Sequence, residues 1–284
     1  MLYFIMLPNH LFLTECFFSM LKKILSGIGI AACVVSLNSV PFSASASNTA
    51  TLTDLKAGDL VRGTSFSAVY YYGKDGMRYV FPNDKTYFTW YTDFNGVRWL
   101  SDADLGKIQI GGNVTYNPGI RMIKINSDPK VYAVGQDGTL HWVTSETLAS
   151  GYYGTNWNSM IDDVPDSFFS NYTKGTDFET SEDFLSLATG TNYNIDEDKD
   201  IQSPAIIQIT DNAYSQTTIT IKAGHAVRFE NKGTNKHTAT ASDLSWGTGT
   251  MENGVNFTRY FNKAGTYPFF CSYHTSMTGT IIVE

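Results

Sequence analysis

Four residues near the C-terminus have the types and the spacing of a metal site. Cys271, His274 and Met277 follow one another at intervals of three, and His237 precedes the cysteine by 34 positions. Two imidazoles and one thiolate, with a more distant thioether, are the ligands of blue copper sites that transfer electrons. The thiolate and thioether favour Cu(I), and the imidazoles keep Cu(II) acceptable. The pattern therefore predicts a redox-active site for one copper ion.

Each of these residues also has a simpler interpretation when it is taken alone. A single cysteine is usually a small buried apolar residue, and a single methionine usually fills a core. Copper is favoured because all four residues occur together. The two remaining histidines of the region after the first 46 residues have simpler roles: His225 is predicted to lie in an exposed turn, and His141 to be a cross-strand partner on a hairpin surface.

The ligands need strands to position them, and residues 203–284 supply the pattern of such strands. Short runs of β-branched and aromatic residues alternate with turns such as Ala223-Gly224 and Ala264-Gly265. The predicted strands are residues 206–210, 218–222, 226–230, 257–261, 266–271 and 278–283. Closely spaced strands over a domain of this size predict a β-sandwich, with Cys271, His274 and Met277 in one loop at one end.

This part of the sequence resembles the cupredoxin family, specifically the plastocyanin and amicyanin type. The resemblance rests on residues 219–224, 227–231, 237–238, 261–267 and 271–279. The two-residue gap between His274 and Met277 is similar to that of amicyanins.

The resemblance implies a Greek-key β-sandwich that holds one type 1 copper ion. It makes His237, Cys271 and His274 the equatorial ligands. Met277 becomes the axial ligand. The electron would pass through His274 to a redox protein that docks beside it.

An aromatic-rich internal repeat occupies residues 47–173. Residues 69–76 align with residues 131–138 at a constant offset of 62, and each copy ends in Asp-Gly before a second apolar run. This is the pattern of a β-hairpin. Polar stretches that start at Ser101 and Ser145 predict helices. The prediction is a small α+β domain of two related units.

The N-terminal domain is similar to aromatic repeats of uncharacterised bacterial surface proteins, which implies contact with a partner or an envelope component. Five of its residues could instead line a glycan-binding face, although hairpin and core positions are the simpler interpretation. They are Arg78, Tyr79, Trp90, Trp99 and Trp142.

Residues 174–202 are acidic and polar, and residues 194–200 are almost entirely charged. No core-forming pattern is visible there. The segment is predicted to be a solvated linker.

Residues 1–46 predict export. Lys22 and Lys23 precede an apolar run over residues 24–37, and Ala44-Ser45-Ala46 provides a cleavage site, as in a secretory signal peptide. The apolar residues 1–19 leave two alternatives: translation starts at Met20, or the leader is an uncleaved membrane anchor. A lipobox-like sequence ending at Cys33 offers lipidation as a further route. Every alternative places the protein in the periplasm or at the cell surface.

Composition and missing motifs exclude several classes of protein. A formal net charge of −7 argues against a nucleic-acid partner. Three cysteines cannot form a disulfide scaffold, and only Cys271 lies beyond the signal peptide. The chain has neither the His-x-His pairs of multicopper oxidases nor the second cysteine of a dinuclear copper site. Hydrolase, phosphate-loop and haem-attachment motifs are also missing, so no enzyme is predicted.

The sequence thus predicts a mainly β protein with a leader, an α+β repeat domain, a linker and a copper domain. Its expected function is an exported one-electron carrier. The alternative is a copper-binding, storage or surface-interaction protein without a dedicated electron-transfer role.

Overall fold

A computed structural model of the protein describes residues 48–190 and 194–284, with the side chains of residues 188–190 left out. Ser47–Glu284 form one compact unit. The predicted signal peptide, the choice between Met1 and Met20, and the lipidation site at Cys33 lie outside the described residues. Among the described residues, no helix combines the length and the apolar character needed to span a membrane.

Two five-stranded sheets of identical topology form the N-terminal domain. The first contains β1 (Leu60–Gly63), β2 (Val69–Tyr72), β3 (Arg78–Val80), β4 (Val97–Leu100) and β5 (Ile110–Asn113). The second contains β6 (Met122–Ile125), β7 (Asp128–Val134), β8 (Thr139–Trp142), β9 (Ile161–Asp163) and β10 (Thr173–Lys174). The strand orders are β4-β1-β2-β3-β5 and β10-β8-β7-β6-β9, which is the same arrangement in each sheet. The repeat that the sequence predicts is therefore the β-hairpin part of a larger unit, and this larger unit occurs twice.

Each unit inserts one helix before and one helix after its fourth strand. The helices of the first unit are Asp84–Trp90 and Asp102–Lys107, and those of the second are Glu146–Tyr153 and Asp166–Phe169. Short 3-10 helices are Leu52–Asp54, Gln136–Gly138, Trp157–Met160 and Glu182–Phe184.

The predicted helix starts are confirmed, because the side chains of Ser101 and Ser145 cap their helices at Asp104 N and Leu148 N. They cap the second helix of one unit and the first helix of the other, so they are not equivalent positions. Asn83 caps the first helix of the first unit at Thr86 N.

The C-terminal part consists of two four-stranded sheets. One has the order β12-β11-β14-β16 and the other β13-β18-β17-β15. These strands are β11 (Ala205–Thr210), β12 (Ala213–Tyr214), β13 (Thr218–Ile221), β14 (His225–Asn231), β15 (Thr240–Ala241), β16 (Asn256–Phe261), β17 (Gly265–Phe270) and β18 (Thr278–Val283). All six predicted strands are present within one or two residues.

The core of this part lies between the two sheets. Inward-facing side chains alternate along the strands, with Val227 and Phe229 from β14 meeting Phe269 of β17 and Ile281 of β18. Phe269 pairs with Gly279, and its ring occupies the space that a Cβ at position 279 would need. A glycine therefore lets β17 and β18 pack closely directly below the loop that connects them.

The prediction of a solvated linker over residues 174–202 is wrong. Phe178, Phe184 and Leu187 pack into the core of the second unit, and Ile195 and Ile201 pack into the core of the first. The segment also contains the helices Leu185–Gly190 and Ile195–Asp198. Its apolar residues are too widely spaced to show a period, so the sequence pattern is dominated by the charges between them.

Some of those charges are themselves buried and join the two repeats. Asp196 accepts a hydrogen bond from Lys74 N at 2.9 Å, and Asp198 accepts one from Asp137 N at 3.0 Å. These two donors belong to the equivalent hairpin turns of the two units. The acidic segment therefore fastens one hairpin turn to the other.

The first hairpin turn also contacts the outer face of β14 and β16. Asp75 is fully buried and accepts hydrogen bonds from Tyr79 Oη at 2.6 Å and Tyr260 Oη at 2.9 Å. Its backbone carbonyl accepts from Thr258 Oγ1 at 2.9 Å. Gln109 and the backbone of Thr258 exchange two further hydrogen bonds, at 2.7 and 3.1 Å. This junction, formed by Asp75, Gln109, Thr258 and Tyr260, joins the two domains directly.

Candidate metal centre

The loop between β17 and β18 is a series of tight turns. His274 N donates to Cys271 O at 3.2 Å, and Met277 N donates to His274 O at 2.8 Å. Cys271 N donates to Met277 O at 3.0 Å and closes the loop. The spacing of three observed in the sequence therefore corresponds to three turn positions that are tied to one another.

The fourth residue comes from the other sheet. His237 follows β14, and its backbone exchanges hydrogen bonds with Met251 at 2.8 and 3.2 Å. This isolated bridge fixes the position of His237 before the chain continues into β15. The predicted ligands thus come from two loops at the same end of the sandwich.

The side chains of His237, Cys271 and His274 converge. The Nδ1 atoms of His237 and His274 lie 3.8 and 3.7 Å from Cys271 Sγ, and one nitrogen or sulfur atom of each of the three residues lies within 4.8 Å of the others. Bond lengths of about 2.0 Å to imidazole nitrogen and about 2.3 Å to thiolate sulfur, placed 120° apart, would separate nitrogen from sulfur by about 3.8 Å. The arrangement therefore fits a metal ion bound in a trigonal plane.

Met277 completes the group. Its side chain is 4% exposed and belongs to the same core cluster as Cys271, which is fully buried. A soft thioether, a soft thiolate and two imidazoles select copper among the common metals. The structure thus contains the predicted His-Cys-His-Met group and supports a copper site.

Cys271 Sγ also accepts a hydrogen bond from the backbone. Thr238 N lies 3.4 Å from the sulfur, and Thr238 Oγ1 accepts from Ser272 N at 2.8 Å. The hydroxyls of Thr238, Thr240 and Ser272 lie within 3.1–3.2 Å of one another. This hydroxyl cluster ties the loop of His237 to the loop of Cys271.

His237 is fully buried, and its pKa is lowered by desolvation and by the nearby imidazole of His274. A neutral imidazole is the form that binds a metal. Asp211, in the turn between β11 and β12, opposes this shift from the opposite side of the ring.

His274 is half-buried, and the neighbouring Tyr273 is 51% exposed. The hydroxyl of Tyr273 lies 2.8 Å from Thr250 Oγ1. The hydrogen bonds that Thr258 and Tyr260 form in the domain junction lie on β16 and not on this loop.

The other two histidines that the sequence analysis considered, His225 and His141, lie on strands away from the metal centre. His225 is half-buried at the start of β14, where it pairs with Phe261, so it is a strand residue and not an exposed turn residue. His141 pairs with Ala133 across the second hairpin, and its ring stacks on Phe178 at 4.3 Å.

The five residues considered for a glycan-binding face do not form one open surface. Tyr79 is buried, and Trp90 packs against the core of the first unit. Trp142 lies on the second sheet beneath Lys130, and Arg62 lies over Trp99.

Sequence reasoning missed the residues that support the ligands. Thr238 follows His237 and Ser272 follows Cys271 in the chain. Hydroxyl side chains next to predicted ligands were only a weak indication of a supporting role. Asp211 lies 26 residues before His237, and no spacing rule connects them.

Comparison with protein families identifies the type of domain that these strands form. A family model described as a cupredoxin-like domain matches residues 184–283. No curated protein matches the chain.

Three solved structures illustrate the similarity. Amicyanin from Paracoccus versutus is 29% identical over 28% of this chain and 81% of its own, with a TM-score of 0.27. A purple cupredoxin from Nitrosopumilus maritimus is 22% identical over 28% of this chain and 99% of its own, with a TM-score of 0.27. A copper-containing nitrite reductase from Thermus scotoductus is 24% identical over 28% of this chain and 22% of its own, with a TM-score of 0.27.

The C-terminal part of the chain is therefore a cupredoxin-like domain, as its sequence predicts. The family match begins at residue 184, inside the acidic segment, whereas the strand pattern places the first residue of the domain at 203.

Proposed function

We propose that this protein is an exported carrier of single electrons that holds one type 1 copper ion on His237, Cys271, His274 and Met277. The observation that carries the proposal is the convergence of two imidazole Nδ1 atoms on Cys271 Sγ, at 3.7 and 3.8 Å. When bound, copper supplies a one-electron couple between Cu(I) and Cu(II).

The protein's own residues prepare the site for that couple. The Thr238 N–H group donates a hydrogen bond to Cys271 Sγ and helps to fix the position of the sulfur. The loop turns and the hydroxyl cluster hold the ligands in one arrangement. A site that changes little between oxidation states exchanges electrons with little reorganisation.

The partner would be a redox protein that docks beside His274. Of the three converging ligands, His274 is the one that is half-buried, whereas His237 and Cys271 have no exposed surface. Residues 203–284 carry 6 Lys and Arg residues against 5 Asp and Glu residues, so the domain is nearly neutral. Docking through Tyr273 and uncharged neighbours suits such a surface.

Export, to the periplasm or the cell surface, is inferred from the signal-peptide pattern of residues 1–46. The N-terminal domain would hold the copper domain at a partner or an envelope component. No catalytic activity is assigned to either domain.

The test is to load the protein with Cu(II) and record its absorption spectrum. We expect an intense blue band from thiolate-to-copper charge transfer, which Cys271→Ser removes and which Ser276→Ala, at an exposed position of the same loop, keeps. A colourless or weakly absorbing product contradicts the copper assignment. A redox titration, combined with measurement of the electron-exchange rate, then distinguishes an electron carrier from a copper-storage protein. Slow electron exchange in a blue protein would favour copper storage.

A further inference from the structure

A groove of about 510 Å³ lies between the two repeat units of the N-terminal domain. Tyr87 and Phe94 of the first unit and Phe168 of the second contribute aromatic rings to its walls. Asn83, Asp84 and Asn113 contribute polar groups. The groove is formed by a different part of the protein from the metal centre.

The aromatic wall is unusually open to solvent. Phe94 is 48% exposed and stacks on the buried Tyr87, with ring centroids 4.4 Å apart and planes 22° apart. Phe88, 50% exposed, packs its edge against Phe94 at 5.3 Å. Tyr87 therefore fixes the orientation of the exposed rings of Phe88 and Phe94, which are not part of the buried core of this unit. Exposed apolar clusters of this kind mark binding sites.

The polar groups of the groove retain free hydrogen-bonding capacity. Asn83 Oδ1 caps a helix at Thr86 N, and Asn113 Nδ2 donates to Asn171 Oδ1 at 2.8 Å. Within the described part of the chain, no hydrogen bond engages Asn83 Nδ2, Asn113 Oδ1 or Asp84 Oδ2. The hydrogen bonds that these three side chains do form hold them in place. The amide nitrogen of Asn83 and one oxygen each of Asn113 and Asp84 remain available to a ligand.

We propose that this groove binds a neutral carbohydrate chain. A sugar ring presents C–H groups on its faces, which pack on an aromatic ring, and hydroxyl groups at its edge, which can both donate and accept hydrogen bonds. A sugar would thus cover Phe94 and pair with the free amide and carboxylate atoms at once. An apolar peptide side chain would bury the same polar atoms without pairing them, at a cost in free energy.

Charge further restricts the ligand. Residues 47–202 carry 12 Lys and Arg residues against 21 Asp and Glu residues, so the domain that contains the groove is strongly acidic. Such a domain repels anionic polymers, including nucleic acids and acidic polysaccharides. The inference is independent of copper binding, because no residue of the metal centre lines the groove.

The test is affinity electrophoresis of the whole protein in gels that contain neutral polysaccharides: galactomannan, xylan, mannan and a mixed-linkage β-glucan. We expect retardation in at least one of these gels and none in gels with alginate. Phe94→Ala should weaken the affinity by about tenfold or more, whereas Phe94→Tyr, which keeps the ring, should retain it. Tyr273→Ala removes an exposed ring from the other domain and should leave retardation unchanged.

Three results would overturn the proposal. They are no retardation in any neutral gel, equal retardation of Phe94→Ala and the parent protein, and binding of alginate alone. Binding of an apolar Phe- and Leu-rich peptide probe that depends on Phe94, without binding of any polysaccharide, would assign the groove to a protein partner. Thermal denaturation of each variant confirms that a lost affinity reflects a lost contact and not unfolding.

Discussion

The carboxylate of Asp211 lies 3.8 Å from Nε2 of His237, whose Nδ1 faces Cys271 Sγ at the same distance. The imidazole is thus placed between a carboxylate and a thiol. Within the described residues, Nε2 has no hydrogen-bond partner, and the ring is fully buried. A carboxylate at this position favours the tautomer with its proton on Nε2, which leaves Nδ1 free to bind a metal.

Replacement of Asp211 should weaken copper binding without removing a ligand. We expect Asp211→Ala to lower copper affinity by about 10- to 100-fold, the usual effect of losing such a supporting group. Asp211→Asn, which can still accept the hydrogen bond from Asn235 N, should have a smaller effect. Competition with a chelator measures both variants. Asp243→Asn, in a turn beside Ser245, is the control, and equal affinities for all four proteins would contradict a supporting role for Asp211.

Replacement of Met277 should change the reduction potential more than copper retention. Met277→Gln exchanges a soft thioether for a harder amide oxygen, which stabilises Cu(II) and lowers the potential. A redox titration of the copper-loaded variant measures this shift. Met251→Leu alters another buried methionine of the same core and should leave the potential in place. If the potential of Met277→Gln also stays unchanged, Met277 is not an axial ligand.

Asp75 and Asp137 occupy equivalent turns but should differ in their effect on stability. Asp75 is fully buried and accepts three hydrogen bonds from Met77 N, Tyr79 Oη and Tyr260 Oη. Asp75→Asn turns an acceptor into a donor that faces two hydroxyls, so we expect a loss of about 1–3 kcal/mol in the free energy of unfolding. The side chain of Asp137 is 66% exposed, and Asp137→Asn should cost less than about 0.5 kcal/mol. Denaturant titration compares the two variants, and equal losses would contradict a larger stabilising role for the buried carboxylate of Asp75.

Asp198 should make stability depend on pH. Burial raises the pKa of its carboxyl to about 6, and the nearby Asp137 adds to this effect, whereas the hydrogen bond from Asp137 N and the charge of Lys199 oppose it. Tyr172 lies close enough to be affected by the same charge. Since the ordinary value is 3.8, between these values the folded protein holds a proton that the unfolded chain has lost. Stability therefore falls as pH rises from about 4 to about 6 and stays lower above that.

Asp198→Asn should remove this dependence while keeping an acceptor for Asp137 N. We expect the variant to be more stable than the parent at pH 7.5, by on the order of 1–3 kcal/mol, and the difference to vanish near pH 4. Melting temperatures across this range provide the measurement, with Asp200→Asn, an exposed neighbour, as control. A constant difference at all pH values would show that ionisation of Asp198 is not its cause.

Some features of the structure were predictable from local sequence and others were not. The ligands were visible because three of them share one loop, and the strands were visible because their apolar runs lie between turns. Asp211 was not visible, because only the packing of β11 beside β14 brings it to His237. The acidic segment was misjudged for a related reason: Phe178, Phe184 and Ile195 are buried one at a time among charges, by contacts with partners that are distant in the chain.

The domain junction restricts how this gene can be divided. A fragment that began at residue 203 would keep all four ligands. It would, however, expose Thr258 and Tyr260 to water and remove Asp75 O, which accepts a hydrogen bond from Arg228. The N-terminal domain would in turn lose the hydroxyl groups of Thr258 and Tyr260, which donate hydrogen bonds to Asp75. We therefore expect a fragment of residues 203–284 to be less stable than the same residues in the whole protein.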